Sequence, residues 1–301
     1  MIELDGLTKR YADTTAVDDL TFTVRPGVVT GFLGPNGAGK STTMRLMVGL
    51  DRPTSGTVTI GGKPYAEHAA PLHEVGALLE ARSVHTGRKA SDHLLALART
   101  HGITKRRVDE VVDVVGLHDV ARKRAGGFSL GMGQRLGIAS ALLGDPAVVL
   151  LDEPVNGLDV EGIRWVRELL RGLAEEGRTV FLSSHLMSEM AQIADHVIVV
   201  GRGRLIADTT TTALLAGAST GTVVVRSPYP GMAEVLEAKG GTVASVEDAL
   251  QITGLTAEQV GEAALAAGAV LHELRVVQTS LEEAYVDMTK DAIEFTAGGV
   301  A

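Results

Sequence analysis

The stretch "GFLGPNGAGKSTTMRLM", residues 31 to 47, constrains this 301-residue chain more than any other. It follows an apolar run and precedes a helical pattern, and it contains the spacing G-x-x-x-x-G-K-[ST] at Gly34, Gly39, Lys40 and Ser41. Glycines at such a turn let backbone N–H groups surround phosphate oxygens, and the helix N-terminus adds positive potential. The stretch predicts a phosphate-binding loop; the alternative is a glycine-rich turn with a surface lysine.

The chemistry of a phosphate loop assigns roles to its side chains. Lys40 is expected to reach the β- and γ-phosphates of ATP, and Ser41 to be a ligand of Mg²⁺. The other loop residues expected to line the nucleotide are Pro35, Asn36, Gly37, Ala38 and Thr42. A nucleotide phosphate and Mg²⁺ are therefore the predicted ligands of the loop.

A second apolar run, "AVVLLDEP", ends in two adjacent carboxylates, Asp152 and Glu153. A carboxylate at the end of a buried strand can hold Mg²⁺, which suits Asp152 as a metal ligand. Its neighbour Glu153 can orient or deprotonate an attacking water, which predicts a catalytic role. Without the phosphate loop, a solvated acidic turn would be the favoured interpretation.

Short apolar runs alternate with helical patterns along the first two thirds of the chain. Runs without charges are typical of parallel strands that are covered on both faces. The predicted strands of this sheet are residues 28–33, 147–152, 178–185 and 196–200. The alternating segments "TFTV" and "GTVTIGG" predict an antiparallel β lobe, and residues 72–142 predict a helical subdomain.

A threonine-, alanine- and glycine-rich stretch at residues 207–222 indicates a connector. We therefore expect a first domain at residues 1–215 and a second at 216–301. The second domain has the pattern strand, helix, strand, strand, helix, strand, which predicts a small α+β ferredoxin-like module. The capping-box spacing of Ser280 and Glu283 predicts a further helix. Whether this domain stabilises or regulates the first one is left open.

Composition limits the partners of the chain. The 37 acidic and 28 basic residues give a formal net charge of -9, which opposes general attraction to nucleic acid. No cysteine is present, which excludes disulfides and thiolate metal sites. The start is acidic, unlike a signal peptide, and no apolar run approaches the roughly 20 residues that cross a bilayer. We expect a cytoplasmic chain, no nucleic acid partner and no direct membrane insertion.

Five motifs in order, "GPNGAGKST", "FSLGMGQ", "VVLLDEP", "NGLD" and "SSH", resemble those of ATP-binding cassette (ABC) ATPases over roughly residues 1 to 215. They look like the phosphate loop, signature, magnesium strand, D-loop and switch histidine. The resemblance implies a P-loop ABC ATPase core, with α/β architecture, in which two cassettes face head to tail around ATP. Ser129 and Gly131 of the signature would then act in trans; periodicity alone predicts only a capped core helix there.

The resemblance also implies roles for three further residues. By position, Tyr11 would stack on adenine, Asp159 would line the dimer seam, and His185 would contact the γ-phosphate. Taken singly, a tyrosine near a strand end is more often a packing residue, and His185 is one of nine histidines.

Two positions depart from the commonest family pattern. The signature has Phe128, Leu130 and Met132 where leucine, glycine and glutamine are usual, and Glu80 stands where a glutamine near Mg²⁺ is usual. Glu80 could be a metal ligand or orient water while adding negative charge beside the triphosphate; the alternative is a solvated loop acid. Both departures resemble the drug, antibiotic and lantibiotic self-protection branch of ABC exporters.

Three classes of function are compatible with these motifs. The first is the subunit that energises export of a drug, antibiotic or lipid-like compound through a separate transmembrane permease, working on the cytoplasmic face of the membrane with a second copy of itself or a homologous cassette. The second is a soluble ABC ATPase acting on a non-transport macromolecular partner such as the ribosome or DNA, which the single cassette and the acidic balance disfavour. The third is a non-hydrolysing scaffold, which Glu153 disfavours.

Overall fold

The structure is a computed structural model that describes residues 1–80, 84–218 and 222–277. The chain separates into two compact units, of which one covers Met1–Thr211 and the other begins at Thr212. The domain boundary that we predict from composition, 215/216, lies a few residues after this division and remains a prediction. The helix predicted around Ser280 lies outside the described residues, as does the rest of the predicted second domain after residue 277.

Strands and helices alternate along the first unit. In chain order its main elements are β1 (Ile2–Tyr11), β2 (Thr14–Val24), β3 (Val29–Leu33), α1 (Lys40–Met47), β4 (Ser55–Ile60), α2 (Pro71–Glu74), β5 (Val75–Leu78), α3 (Ala90–Thr100), α4 (Lys105–Val114), α5 (Leu130–Leu142), β6 (Val148–Asp152), α6 (Val160–Glu175), β7 (Thr179–Ser184), α7 (Met187–Ile193), β8 (His196–Gly201) and β9 (Arg204–Thr210). The helix α8 (Thr211–Ala218) follows at the division between the units.

The main sheet of the first unit has the strand order β5-β6-β7-β3-β8-β9. Neighbouring strands from β5 to β8 are parallel, and β9 is antiparallel to β8. Every residue of β3 and β7 is buried, which agrees with the absence of charged residues in both strands. A separate antiparallel sheet, ordered β2-β1-β4, forms the predicted β lobe. The predicted α/β core is confirmed.

The two sheets of the first unit share one core. The rings of Phe22 in β2, Phe32 in β3 and Phe181 in β7 lie with centroids 5.1 to 6.2 Å apart. Aromatic pairs at such separations add to the stabilisation from burial. The lobe is therefore fixed against the strand that precedes the phosphate loop.

Three helices, α3, α4 and α5, pack on one another, and α5 also packs on β5. The span that we predict to be helical, residues 72–142, thus contains one strand of the main sheet. The four residues of β5 are too few to reveal a strand period in the sequence.

A contact between Arg135 of α5 and Trp165 of α6 holds the helical part against the core. The guanidinium carbon lies 4.1 Å from the ring centroid, and Arg135 also donates to the carbonyl of Val115 at 2.9 Å. A cation over an indole face is attractive by about 0.5–2 kcal/mol. This contact fixes the helix that begins with the signature motif.

The second unit has the elements β10 (Thr222–Arg226), α9 (Met232–Glu237), β11 (Thr242–Val246), β12 (Ala249–Thr253), α10 (Ala257–Ala266) and β13 (Glu273–Val277). Its strands pair antiparallel in the order β11-β12-β10-β13, around a core of its own that includes Val225, Leu236, Ile252 and Val260. This is the predicted ferredoxin-like arrangement. Among the described residues, no helix has both the length and the apolar character needed to span a bilayer.

Candidate active site

Four neighbouring parallel strands place the predicted site residues along one edge of the main sheet. Glu80 follows β5, Asp152 ends β6, His185 follows β7, and the phosphate loop, residues 34–39, follows β3. The carboxyl ends of parallel strands meet at the same edge, where open α/β sheets bind their ligands. Topology thus brings together residues that are far apart in the sequence.

The phosphate loop has the backbone of an anion cradle. Gly37 and Gly39 have φ angles of 80° and 98°, in the left-handed region that glycine adopts without strain. A Cβ atom at Gly34 would lie 2.5 Å from the carbonyl oxygen of Val200, so only glycine lets the loop approach β8 so closely. The amide of Ala38 donates to the carbonyl of Pro35 at 3.1 Å and closes the turn. Asn36 lies between these residues and completes the loop.

Lys40 lies inside this loop rather than in solvent. Its side chain is buried, and its Nζ donates to the carbonyls of Gly34 at 2.6 Å and Pro35 at 3.2 Å. Burial lowers the pKa of Lys40, while the charges of Glu153 and Asp152 act to raise it. A partly desolvated cation within electrostatic reach of two carboxylates is suited to neutralising a phosphate. The alternative interpretation, a glycine-rich turn with a surface lysine, is wrong because Lys40 is buried.

Glu153 is held in an unusual backbone conformation. Its φ is 51°, a left-handed value that is rare for a residue with a Cβ. Ser183 Oγ accepts from the backbone N–H of Glu153 at 3.0 Å and donates to Asp152 Oδ1. Gln134, which is buried, donates to the backbone carbonyl of Glu153 at 3.1 Å. Sequence reasoning missed Ser183 and Gln134 as supporting residues, although both lie inside the quoted motifs "SSH" and "GMGQ".

The side chain of Glu153 meets the switch histidine. His185 Nδ1 donates to Glu153 Oε2 at 2.8 Å. Glu189, in the first turn of α7, has one buried carboxylate oxygen without a hydrogen-bond partner. Burial raises the pKa of Glu189, with the His185 charge acting against this and the Glu153 charge reinforcing it. His185 therefore contacts the Glu153 carboxylate directly and acts electrostatically on that of Glu189.

The residues at the edge also fit Mg²⁺. The hydroxyl of Ser41 and the carboxylate of Asp152 are the hard oxygen ligands that this ion prefers. The described residues contain no cluster of three or more His, Asp or Glu side chains able to hold a metal. A Mg²⁺ ion at a nucleotide site takes one or two protein ligands and completes its shell with phosphate and water.

Glu80 is exposed at the same edge. Its charge acts on Arg45 of α1, the helix that begins at Lys40. Residues 81–83, which follow it, lie outside the described part of the chain. Its role as a ligand of Mg²⁺ remains a prediction.

Tyr11 ends β1 and is 45% exposed. Its hydroxyl donates to Asp51 Oδ2 at 3.0 Å, and the ammonium of Lys9 lies 4.8 Å from the ring centroid. The neighbouring side chain of Thr42, in the first turn of α1, also interacts with the phenol. The ring therefore lies close to the helix that starts at the phosphate loop.

The signature and the D-loop each begin a helix. Ser129 Oγ accepts from the backbone N–H of Met132 at 3.2 Å, and Asp159 Oδ1 accepts from that of Gly162 at 2.8 Å. Both are N-cap bonds that satisfy free helix amides. The predicted cap at Ser129 is confirmed.

These two helix starts form one surface. A Cβ atom at Gly157 would lie 2.0 Å from Leu130, and one at Gly131 would lie 3.1 Å from Leu158. Leu130 and Val160 are 47% and 85% exposed there. We name it the signature–D-loop surface; its members are Ser129, Leu130, Gly131, Gly157, Asp159 and Val160. Exposed apolar side chains that lie together can take part in protein contacts.

A cavity of about 470 Å³ lies at the opposite edge of the main sheet. Its lining includes Val28 and His196, at the amino-terminal ends of β3 and β8, and Thr210 at the end of the antiparallel β9. None of the predicted site residues lines it, so it is separate from the candidate active site.

The comparison with known proteins decides the family. The pattern of the ABC transporter family matches residues 17–156. A Bacillus subtilis protein named uncharacterized ABC transporter ATP-binding protein YhcH is 46% identical over 209 residues, which are 68% of each chain. This chain belongs to the ATP-binding proteins of ABC transporters.

Other relatives of this ABC protein are named for transport. The bacitracin transport ATP-binding protein BcrA of Bacillus licheniformis is 44% identical over 68% of each chain. The lantibiotic transport ATP-binding protein SrtF of Streptococcus pyogenes is 34% identical over 68% of this chain and 89% of its own. Residues 221–282 match a family described as a domain of unknown function (DUF8746).

Solved structures support the same fold. An ATP-binding subunit of an ABC transporter has a TM-score of 0.65 and 26% identity, covering 72% of this chain and 92% of its own. A dimeric bacterial ABC transporter cassette, MJ0796, has a TM-score of 0.65 and 24% identity over 70% of this chain and 99% of its own. Like its family, this ABC protein binds nucleotide and is an ATPase that energises transport. ABC cassettes work with transmembrane permease subunits and form dimers.

Proposed function

We propose that this ABC protein hydrolyses ATP with Mg²⁺ to export a drug, antibiotic or lipid-like compound through a separate permease. In this proposal the chain lies on the cytoplasmic face of the membrane, held there by the permease. The catalytic part of the proposal rests on one observation. Lys40, Glu153 and His185 lie at the same edge of the main sheet. The names of the bacitracin and lantibiotic transport relatives support the class of exported compound. They also disfavour a non-transport ABC ATPase.

Each residue contributes a separate step. Lys40 and the loop amides hold the β- and γ-phosphates, and Ser41 and Asp152 hold Mg²⁺. When bound, Mg²⁺ would supply positive charge that offsets the negative charge of the phosphates. Glu153 orients the attacking water and accepts its proton, and His185 keeps the Glu153 carboxylate in place through its 2.8 Å hydrogen bond.

A second cassette completes the site. The signature–D-loop surface of one chain faces the phosphate loop of the other, so that Ser129 and Gly131 act on the γ-phosphate of the partner cassette. A helix N-terminus with a small polar cap can approach a phosphate closely. Asp159 lies in the seam, and Tyr11 of the first chain stacks on the adenine. The partner is a second copy of this chain or a homologous cassette.

Two substitutions test the catalytic assignment. Lys40→Ala should weaken ATP binding by about tenfold or more, because a charge-assisted contact with phosphate is lost. Glu153→Gln should bind ATP normally and slow turnover by about a hundredfold or more, because the proton acceptor is lost. Calorimetry and phosphate release measure the two quantities. Lys105→Ala and Glu175→Gln, exposed positions on α4 and α6, are matched controls. Wild-type turnover by Glu153→Gln would show that the catalytic assignment is wrong.

A further inference from the structure

We propose that Asp51 is a positioning residue for the nucleotide base, acting by fixing the ring of Tyr11 at a set distance from the phosphate loop. This inference rests on the proposed function, in which Tyr11 stacks on adenine. It assigns a role to Asp51 and Arg45, two residues that lie outside the five family motifs.

The ring of Tyr11 needs an anchor to act as a platform. It is 45% exposed at the end of β1, and an exposed ring loses conformational freedom when it stacks on a ligand. The hydroxyl donates to Asp51 Oδ2 at 3.0 Å, which holds the far end of the ring while β1 holds the near end. A ring fixed before binding spares the ligand that ordering cost.

Asp51 is itself anchored to α1. The same Oδ2 atom accepts from Arg45 Nε at 2.7 Å. The backbone N–H groups of Leu50 and Asp51 both donate to the Arg45 carbonyl, at 3.0 Å and 3.4 Å. The hydrogen bond from Arg45 holds the pKa of the Asp51 carboxyl below its usual range, so the carboxylate stays a charged acceptor. Both the side chain and the backbone of Asp51 are therefore tied to one residue of the helix.

This link joins the two halves of the nucleotide site. The helix α1 begins at Lys40 and contains Arg45, and Asp51, which lies after the end of α1 at Met47, is bonded to Arg45. The chain of contacts from Lys40 through α1 to Tyr11 presets the separation of base and phosphates. Preset geometry raises affinity for the whole nucleotide without adding a contact to it.

Lys9 determines which face of the ring is available. Its ammonium lies 4.8 Å from the centroid of Tyr11 and donates to the carbonyl of Arg52 at 2.7 Å. The cation is thus held against one ring face by the residue that follows Asp51. The base takes the opposite face.

The test compares ATP with inorganic tripolyphosphate, which engages the phosphate loop but has no base. The measured quantity is the dissociation constant of ATP divided by that of tripolyphosphate, both determined by calorimetry on the full chain. Tyr11→Ala should raise the ratio about tenfold, because base stacking is lost. Asp51→Ala and Tyr11→Phe should each raise it about fivefold, because either removes the anchoring hydrogen bond. Their double variant should be no worse than either alone.

Asp51→Asn is the matched control for charge. It removes the same negative charge as Asp51→Ala but keeps an oxygen that accepts from the Tyr11 hydroxyl, so the ratio should rise by about twofold or less. In turnover measurements Asp51→Ala should raise KM for ATP more than it lowers kcat. A merely structural role would instead change ATP and tripolyphosphate binding alike and would lower the melting temperature with it.

The possible outcomes separate the two proposals. An unchanged ratio in Asp51→Ala together with a raised ratio in Tyr11→Ala would overturn the positioning role and leave the base platform intact. An unchanged ratio in Tyr11→Ala would overturn both the platform and this inference. The catalytic part of the proposed function is judged separately, by Lys40→Ala and Glu153→Gln. Additive effects of Asp51→Ala and Tyr11→Phe would also contradict the positioning role.

Discussion

Glu80 adds a further negative charge to the carboxyl edge of the sheet. It lies just after β5, beside the strand that ends in Asp152, and the same edge carries the phosphate loop. If Glu80 acts on the nucleotide, removing its charge strengthens binding of an anion, whereas a solvated loop acid has no such effect.

We expect Glu80→Gln to tighten ATP binding by about twofold at low salt and by less above ~0.15 M salt, where the charge is screened. The measurement is ATP affinity at two ionic strengths. Glu74→Gln is the matched control, because Glu74 is exposed at the other end of the same strand. Equal affinities for wild type, Glu80→Gln and Glu74→Gln would make Glu80 an ordinary loop acid and remove one of the two features that resemble the self-protection branch.

At the scale of elements, α4 and α5 begin in the same way but face different surroundings. Thr104 Oγ1 caps α4 by accepting from Arg107 N at 3.4 Å, as Ser129 caps α5. Only α5 begins in the signature–D-loop surface. Loss of either cap should lower the free energy of unfolding by a similar amount, about 1 kcal/mol. Only a change at Ser129 should also alter the association of two cassettes.

With ATP and Mg²⁺, Glu153→Gln should form a dimer, because hydrolysis no longer releases the partner. Adding Ser129→Arg should prevent this dimer, since a bulky cation at the start of α5 blocks close approach. Light scattering measures the mass. The control is Thr104→Arg in the Glu153→Gln background, which loses the equivalent cap and should still dimerise. If Ser129→Arg dimerises as well as Thr104→Arg, the in-trans role of the signature is wrong.

At the scale of the whole molecule, the two units have separate hydrophobic cores. Ile252 is fully buried in the core of the second unit, and Leu20 is 1% exposed in that of the first. Only the first unit contains the phosphate loop, so ATP should stabilise that unit by mass action.

We therefore expect Ile252→Ala to lower the free energy of unfolding of the second unit by about 2–5 kcal/mol while leaving ATP affinity unchanged. Leu20→Ala should lower the stability of the ATP-sensitive unit instead. Calorimetric unfolding with and without ATP distinguishes the two transitions. If Ile252→Ala destabilised the ATP-sensitive transition by the same amount, the proposed division into two domains would be wrong.

Motifs that act through adjacent residues could be predicted from the sequence. The phosphate loop and the pair Asp152–Glu153 depend on the spacing of a few neighbours, because a tight glycine turn and a carboxylate after a buried strand are local features. The parallel strands were predictable for the same kind of reason, since strands buried on both faces are rich in apolar residues and largely lack charges. The short strand β5 was not, because four residues show no period.

The support around these motifs depends on strand order, which the sequence does not state. Ser183 contacts the carboxylate of Asp152 and the backbone N–H of Glu153 only because β7 lies beside β6. Gln134 reaches the backbone carbonyl of Glu153 only because α5 packs on that part of the sheet. The link from Tyr11 to Asp51 joins the end of β1 to the loop after α1. Local spacing thus determined which chemical groups this ABC protein carries. Long-range packing, in which contacts form between residues distant in sequence, decided how those groups are held.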